Sequence, residues 1–416
     1  MILGGNPETG AIVEVARTMG LRAIVVDPYP GSPAKRHATR AYDIDVKDFL
    51  ALDTVVAAER VEGILVGVAD PIVPYYQQLC ARYGLPCYAS SEIIAALNSK
   101  ASFAQACADY GVRTTPQFRV NAATLQGLDE IVYPAVVKPV DCGAGVGISV
   151  CRDRDACIEG LRKALAASPR KQVVVERFMD CDDMFAYYTF VDGRAHLSAT
   201  ADRYKTEQQA GLSPVCIGAE YPSRHTARFV DEVHPRLLDM FTGLGIRHGV
   251  LLIQFFVDAG GFYAYDPGFR LQGEAPHLYL KHFNGFDQRE MMIRFAMTGS
   301  MYAGNFEAVN DYRFDGRRAT TFWILLRAGQ IGHVEGIERI AAMPGVIAVV
   351  HRLDVGDVIT DAMTGTERQV FARIYTVQEH GGESAAVAQS LRANLQVRDA
   401  AGADLVLDMY APEVPQ

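Results

Sequence analysis

The chain has 416 residues, more than a single hydrophobic core usually organises, so two or three domains are expected. Hydrophobic residues make up 49% and charged residues 21%, which suits a globular protein and excludes a disordered or fibrous one. The net charge of −9 argues against nucleic acid as a partner, so an anionic ligand would have to be held by locally placed Lys and Arg.

The first hundred residues alternate strand and helix signals. "MILGG" reads as a strand and glycine turn, "AIVEVARTMG" as an amphipathic helix closed by Gly20, and "RAIVVD", "DTVVAAERV" and "GILVG" as strand, helix and strand. This pattern predicts a small, doubly wound, Rossmann-like α/β domain over residues 1–98. Its first turn, G-G-N-P-E-T-G, lacks the full dinucleotide pattern, which argues against NAD. "SSEIIAALNSKASFAQACADYGV" follows as two short helices around Lys100. Strands then predominate at "AVVKP", "GISVC", "VVVERF", "FAYYTFV", "GVLLIQFFVD" and "GFYAYD", with helices at "CIEGLRKALAA" and "FVDEVHPRLLDMFTGLG". Residues 99–308 are therefore expected to form an α+β domain. The strands "TTFWILLRAG", "GVIAVVHR" and "VFARIYTV" and the helix "AAVAQSLRANL" predict a third, smaller α/β unit over 309–416.

No stretch approaches the roughly 20 apolar residues of a membrane span, and "GVLLIQFFVDAGG" is broken by Gln254 and Asp258. No basic region followed by an apolar one opens the chain, so a signal peptide is not expected. Eight cysteines without a C-x-x-C pair or zinc-site spacing read as reduced packing residues of a cytoplasmic protein.

The most informative stretch is "VKPVDCGAGVG", in which Lys138 follows an apolar run and precedes Gly143, Gly145 and Gly147. A Walker loop places its lysine after the glycines, and a dinucleotide turn leads into a helix, whereas these glycines lead into the β-branched "ISVCRD". A plain turn is one reading. The other is a glycine loop between two strands that folds over polyphosphate and offers it backbone N–H groups, with Lys138 as a point charge.

Lys100, Lys138 with its glycines, Glu176 in "VVVERFMDCDD", Gln254 in "LLIQFFVD", and Asp266 and Arg270 in "YDPGFRLQG" resemble, in this order, the ATP-grasp superfamily. The first hundred residues resemble the domain preceding the ATP-grasp modules of carbamoyl phosphate synthetase and carboxyaminoimidazole ribonucleotide synthase. The resemblance covers residues 1 to about 300 and implies ATP and Mg2+ as cofactors and a mobile lid at about 134–190. It places Lys100 and Lys138 on the nucleotide phosphates, the three glycines in a flap over them, and Glu176 at the nucleoside beside adenine-reading backbone groups of Arg177 and Phe178. Asp182 or Asp183 stands where a ribose-binding Glu is usual.

The resemblance also assigns the metal to Gln254 and Asp266, and stabilisation of the transferred phosphoryl group to Arg270 and Lys138. Asp266-Pro267-Gly268-Phe269-Arg270 occupies the place of Glu-x-Asn-x-Arg, so Gly268 removes the Asn oxygen. Arg203, Lys205, Glu274 and His277, with Lys281 and His282, are candidates for the acceptor pocket, although a packing role competes for the two histidines. The implied activity is an ADP-forming carboxylate–amine ligase working through an acyl phosphate on small-molecule substrates, without nucleic acid or membrane and compatible with a homodimer. The alternatives are a bicarbonate-using, carboxyphosphate-forming enzyme and a non-catalytic nucleotide-binding module.

Overall fold

The computed structural model describes residues 1–142, 146–207, 212, 214–378 and 384–411. Four short runs near the start form a parallel sheet: β1 (Ile2–Leu3), β2 (Ile24–Val26), β3 (Arg40–Tyr42) and β4 (Leu65–Val66), in the order 3-2-1-4. Helices α1 (Pro7–Thr18), α2 (Phe49–Glu59) and α3 (Val73–Tyr83) lie between and after the strands. β1, β2 and β4 are wholly buried, as their unbroken apolar sequence requires of a sheet covered on both faces. Strand order reverses between β1 and β4, so the loops after those strands open on the crevice where doubly wound sheets take ligands.

Asn6 clasps the two loops together. Its Oδ1 accepts the Thr9 N–H at 2.8 Å while its Nδ2 donates to the Val68 carbonyl at 2.7 Å. The Thr9 hydroxyl in turn accepts the Val68 N–H at 3.1 Å, and a Cβ on Gly67 would lie 2.2 Å from that hydroxyl. The glycine-containing turn is thus a cap and a clasp, and it sets Glu8, in the first turn of α1, near the segment after β4 that carries Asp70.

Next come α4 (Ser91–Leu97) and α5 (Lys100–Asp109), each capped by the preceding serine, so Lys100 is the first residue of its helix. A small antiparallel sheet follows: β5 (Gln117–Phe118), β6 (Ala135–Pro139), β7 (Ser149–Cys151) and β8 (Val173–Arg177), ordered 5-8-6-7. Helix α6 (Arg154–Ala167) covers it, and Val137, Val175, Cys157, Leu161 and Ala164 make a core of its own.

The largest sheet has nine strands. Its elements are β9 (Asp182–Val191), β10 (Arg194–Lys205), β11 (Cys216–Tyr221), β12 (Gly249–Asp258), β13 (Gly261–Gly268) and β14 (Arg318–Leu326), with helices α7 (Thr226–Glu232), α8 (His234–Gly243), α9 (His277–Asn284) and α10 (Gln288–Thr298). The order is 13-12-9-10-11-14, continued by strands Val370–Gln378 and Val346–His351, while Val406–Asp408 also pairs with β14. The sheet therefore runs unbroken across residue 309, and the last hundred residues add their own core around Phe322, Ile324, Phe371 and Leu391. A division of the chain at 98/99 and 308/309 stands as a proposal.

The stretch read as one helix at "FVDEVHPRLLDMFTGLG" is two, meeting at Val233, because Pro235 lacks an N–H and crowds the residue before it. β10 escapes an apolar reading because Ser198, Thr200 and Asp202 are buried in it, bonded to Thr189, Thr226 and Ser223. Among the described residues, no helix is long and apolar enough to cross a membrane.

Arg373, in the middle of Val370–Gln378 and 2% exposed, joins these parts. Its guanidinium lies 4.1 Å from the Trp323 ring, reaches Glu8 of α1 at 3.1 Å and Glu367 at 3.4 Å, and donates to the Gly273 carbonyl. Removing one partner of a buried charge network leaves the others uncompensated, at about 3–5 kcal/mol. Arg373→Met is expected to lose stability of that order in urea unfolding, with Arg373→Lys between it and wild type. A loss below about 1 kcal/mol would mean that the arginine does not tie the parts together.

Candidate active site

A cleft of about 570 Å³ opens between the small sheet and the nine-stranded one. Lys138 and Glu176 lie on its wall because Val136 pairs with Glu176 across β6 and β8, which makes Lys138 a diagonal neighbour on the same face. Their Nζ and Oε2 are 2.6 Å apart, with the side chains 8% and 7% exposed. Lys100 enters from the start of α5, its Nζ 2.9 Å from Asp266 Oδ1. Burial works against its charge, but Asp266, followed by Glu176 and Asp70, outweighs burial and holds its pKa above the ordinary lysine value.

A β-bulge builds the opposite wall. Gln254 of β12 pairs with Asp266, but Phe255 pairs with Ala264, so Tyr265 is the extra residue on β13. The bulge lets Tyr265 and Asp266 both line the cleft, with Tyr265 stacked on Phe256 at 4.2 Å. The Tyr265 hydroxyl lies 2.8 Å from Gln254 Oε1 and 3.0 Å from Asp183 Oδ1.

Strand alternation separates the two candidate aspartates. Asp183, 1% exposed, meets Lys205 at 2.9 Å and Arg203 at 3.4 Å on the Tyr265 side. Asp182 bonds instead to Arg224 and His225. Arg203 also reaches Gln254 Oε1 at 3.4 Å, so Arg203 and Lys205, read in the sequence as acceptor-pocket residues, stand on this wall beside Gln254.

Of the glycine loop, Gly143 and Gly145 lie outside the described residues. Gly147 has φ +76°, and a Cβ there would come 2.7 Å from the Pro139 ring and 2.8 Å from Ala167, so glycine is required. The Arg177 and Phe178 N–H groups already bond to the Pro116 and Pro134 carbonyls.

Beyond Asp266 the wall continues into a second cavity of about 710 Å³ that shares Lys100 and Asp266 and reaches Asp70. Asp70 holds Arg270 at 2.7 Å, and Arg270 also donates to Gln272 Oε1 at 2.9 Å. Glu274 stands in the electrostatic reach of Arg270, Arg373 and Glu367. Burial and then Glu367 push its carboxyl above the usual range, against the pull of Arg270 and Arg373. Glu8 is shared by Arg373 and by Arg352, whose Nε lies at 3.4 Å.

His277, Lys281 and His282 are elsewhere. His277 is buried on α9 with its pKa pushed down to about 3 by burial and the nearby Arg289. Lys281 pairs with Asp287 and Glu290, and His282 sits against Phe283. Sequence reasoning missed Tyr265, Asp70, Glu8, Arg352, Glu367 and Arg373. The available signal was a charge inside an apolar strand, as in "VFARIYTV". Among the described residues, no three His, Cys, Asp or Glu gather as a metal cage.

Residues 99–185 match the family model of the carbamoyl-phosphate synthase L chain ATP-binding domain. A formate-dependent phosphoribosylglycinamide formyltransferase of Wolinella succinogenes is 29% identical over 201 residues, 47% of this chain and 51% of that protein. The chain thus spans about half the length of that curated relative. In structure, an L-amino acid ligase from Bacillus licheniformis superposes with a TM-score of 0.78 at 17% identity, over 96% of this chain and 98% of that one. The biotin carboxylase domain of the Hydrogenobacter thermophilus 2-oxoglutarate carboxylase, solved with MgADP and bicarbonate, gives 0.72 at 16% identity over 95% and 90%. The fold is the ATP-grasp fold.

The Lys138–Glu176 pair predicts a specific coupling. Lys138→Met leaves Glu176 buried and unpaired, with an expected loss of about 3–5 kcal/mol, and adding Glu176→Gln should recover most of it in denaturant unfolding. Strictly additive losses would show that the two side chains do not interact.

Proposed function

We propose that this chain, an ATP-grasp protein by its fold and by its match over residues 99–185, is an ADP-forming carboxylate–amine ligase that activates a small-molecule acid as an acyl phosphate. The observation that carries this reading is the set of cations facing one cleft, Lys100, Lys138, Arg203 and Lys205, around a carboxylate, Asp266, that is 40% exposed. The names of the relatives support it, since formate with phosphoribosylglycinamide pairs a small acid with an amine, and an amino acid ligase does the same.

In this reading the nucleotide lies between the two sheets, its terminal phosphates beside Lys100 and Lys138, with the small sheet and the glycine loop as the lid. Asp266 fits magnesium, a hard cation that takes one or two carboxylates and keeps its waters, and the ion would neutralise phosphate charge when bound. The acid's carboxylate oxygen attacks the terminal phosphorus, the bond to the bridging oxygen breaks, and ADP leaves. The amine then attacks the acyl carbon and inorganic phosphate departs. Fixed positive charge and positioning supply most of the barrier reduction, and closure over the cleft keeps water from the acyl phosphate. Glu274, held more basic than an ordinary glutamate, is suited to take the amine proton, and Arg270 steadies the acyl phosphate oxygens. A cytoplasmic location belongs to the same proposal, in keeping with eight free thiols.

Incubation with ATP, magnesium and the acid alone should let hydroxylamine trap a hydroxamate, and oxygen-18 from the labelled acid should reach phosphate after the amine is added. AMP as product, or label that stays in the acid, would rule the mechanism out. ADP release that needs bicarbonate and no organic acid would replace it with carboxyphosphate formation. Lys138→Ala is expected to lower turnover at least about tenfold, the effect of losing one charge-assisted contact.

The pH profile follows from Glu274. Its folded pKa is raised, so it is protonated and inactive at low pH, and kcat/KM should rise as pH passes through a value above the ordinary glutamate pKa of about 4.3. Glu274→Gln should abolish that acidic limb, and a limb that persists unchanged would assign the base elsewhere.

A further inference from the structure

We infer that this site holds a single divalent ion, on Asp266, and that the Arg203 guanidinium, with Lys205, is the fixed cation on the Gln254 side of the cleft, in place of a Gln254-bound metal. The inference rests on the nucleotide-binding reading above and concerns how the charge on the phosphates is neutralised.

Gln254 is spent. Its Oε1 is 2.8 Å from the Tyr265 hydroxyl, whose one proton it shares with Asp183, and 3.4 Å from Arg203 Nη1, so the amide oxygen already faces two donor groups. What remains of the side chain is an NH2 group, which repels a cation. A metal ion arriving there would also meet Arg203 and Lys205. Those two share one carboxylate, Asp183, at 3.4 Å and 2.9 Å, so the group carries two positive charges against one negative. Arg203 Nε is buried and has no hydrogen-bond partner, and the guanidinium lies 5.4 Å from the Phe185 ring centroid, which limits its movement. A held, planar guanidinium on the cleft wall is suited to phosphate oxygens.

The other side of the cleft has the opposite character. Asp266 is 40% exposed, and among the described residues its ion pair is with Lys100, at Oδ1. That leaves Oδ2 for an ion that completes its shell with water and phosphate. Gly268, where the family pattern has Asn, offers no side-chain oxygen for a further ion. The engaged amide at 254 and the missing amide at 268 each leave no donor for a second metal. The arginine adds the positive charge that the second metal would have brought.

The test counts bound metal directly. With Mn2+ and a non-hydrolysable ATP analogue, electron paramagnetic resonance should find one Mn2+ for each bound nucleotide and no spin-coupled pair. Arg203→Gln should weaken the triphosphate analogue at least about tenfold while moving AMP affinity less than about twofold, with Arg203→Lys as the partner variant that keeps the charge. Arg203→Gln combined with Gln254→Glu should admit a second Mn2+ and produce a coupled signal. Two Mn2+ in the wild-type complex, or equal losses for the analogue and for AMP, would overturn the single-metal assignment while leaving the nucleotide site intact. An absence of any nucleotide-dependent Mn2+ binding would overturn the nucleotide reading, and this inference with it.

Discussion

A charged guanidinium at the centre of a sheet strand is tolerable only if other elements bring it acceptors, and in this molecule they come from far along the chain. Arg373 draws on Glu8 at the start of α1, on the Gly273 carbonyl after β13, and on Glu367 in the loop before its own strand. Once those groups are gathered, the crevice of the N-terminal domain is held against the face of the large sheet. Asp70 then meets Arg270, and Glu274 lies among Arg270, Arg373 and Glu367.

The cleft itself is a set of deferred ion pairs. Four of the cations that face it have a carboxylate from another element: Lys138 with Glu176, Lys100 with Asp266, Arg203 and Lys205 with Asp183. Such pairs hold the side chains in place, so the charges of the cleft are prearranged. A protein with a net charge of −9 can in this way still present individually placed cations to an anion.

Two backbone devices aim these groups. The bulge at Tyr265 turns two successive residues of β13 toward the cleft, where regular pleating would send one away. The Asn6 clasp fixes two loops at the point where strand order reverses, and so carries Glu8 and Asp70 to the crevice.

Sequence by itself determined the doubly wound start, the strands that carry Lys138, Glu176, Gln254 and Asp266, and the resemblance that joins them, because those signals are local or lie in a set order. It also contained the loss recorded in Gly268. Tertiary structure alone decided that Asp183 and not Asp182 faces Arg203, that the Tyr265 hydroxyl meets the Gln254 oxygen, and that Arg203 and Lys205 stand on the wall of the cleft while His277 is buried on α9. Each of these depends on strand parity, a bulge, or a contact between residues tens to hundreds of positions apart. Composition and periodicity carry no record of which strand lies beside which, and it is that adjacency which turns separate polar residues into a site.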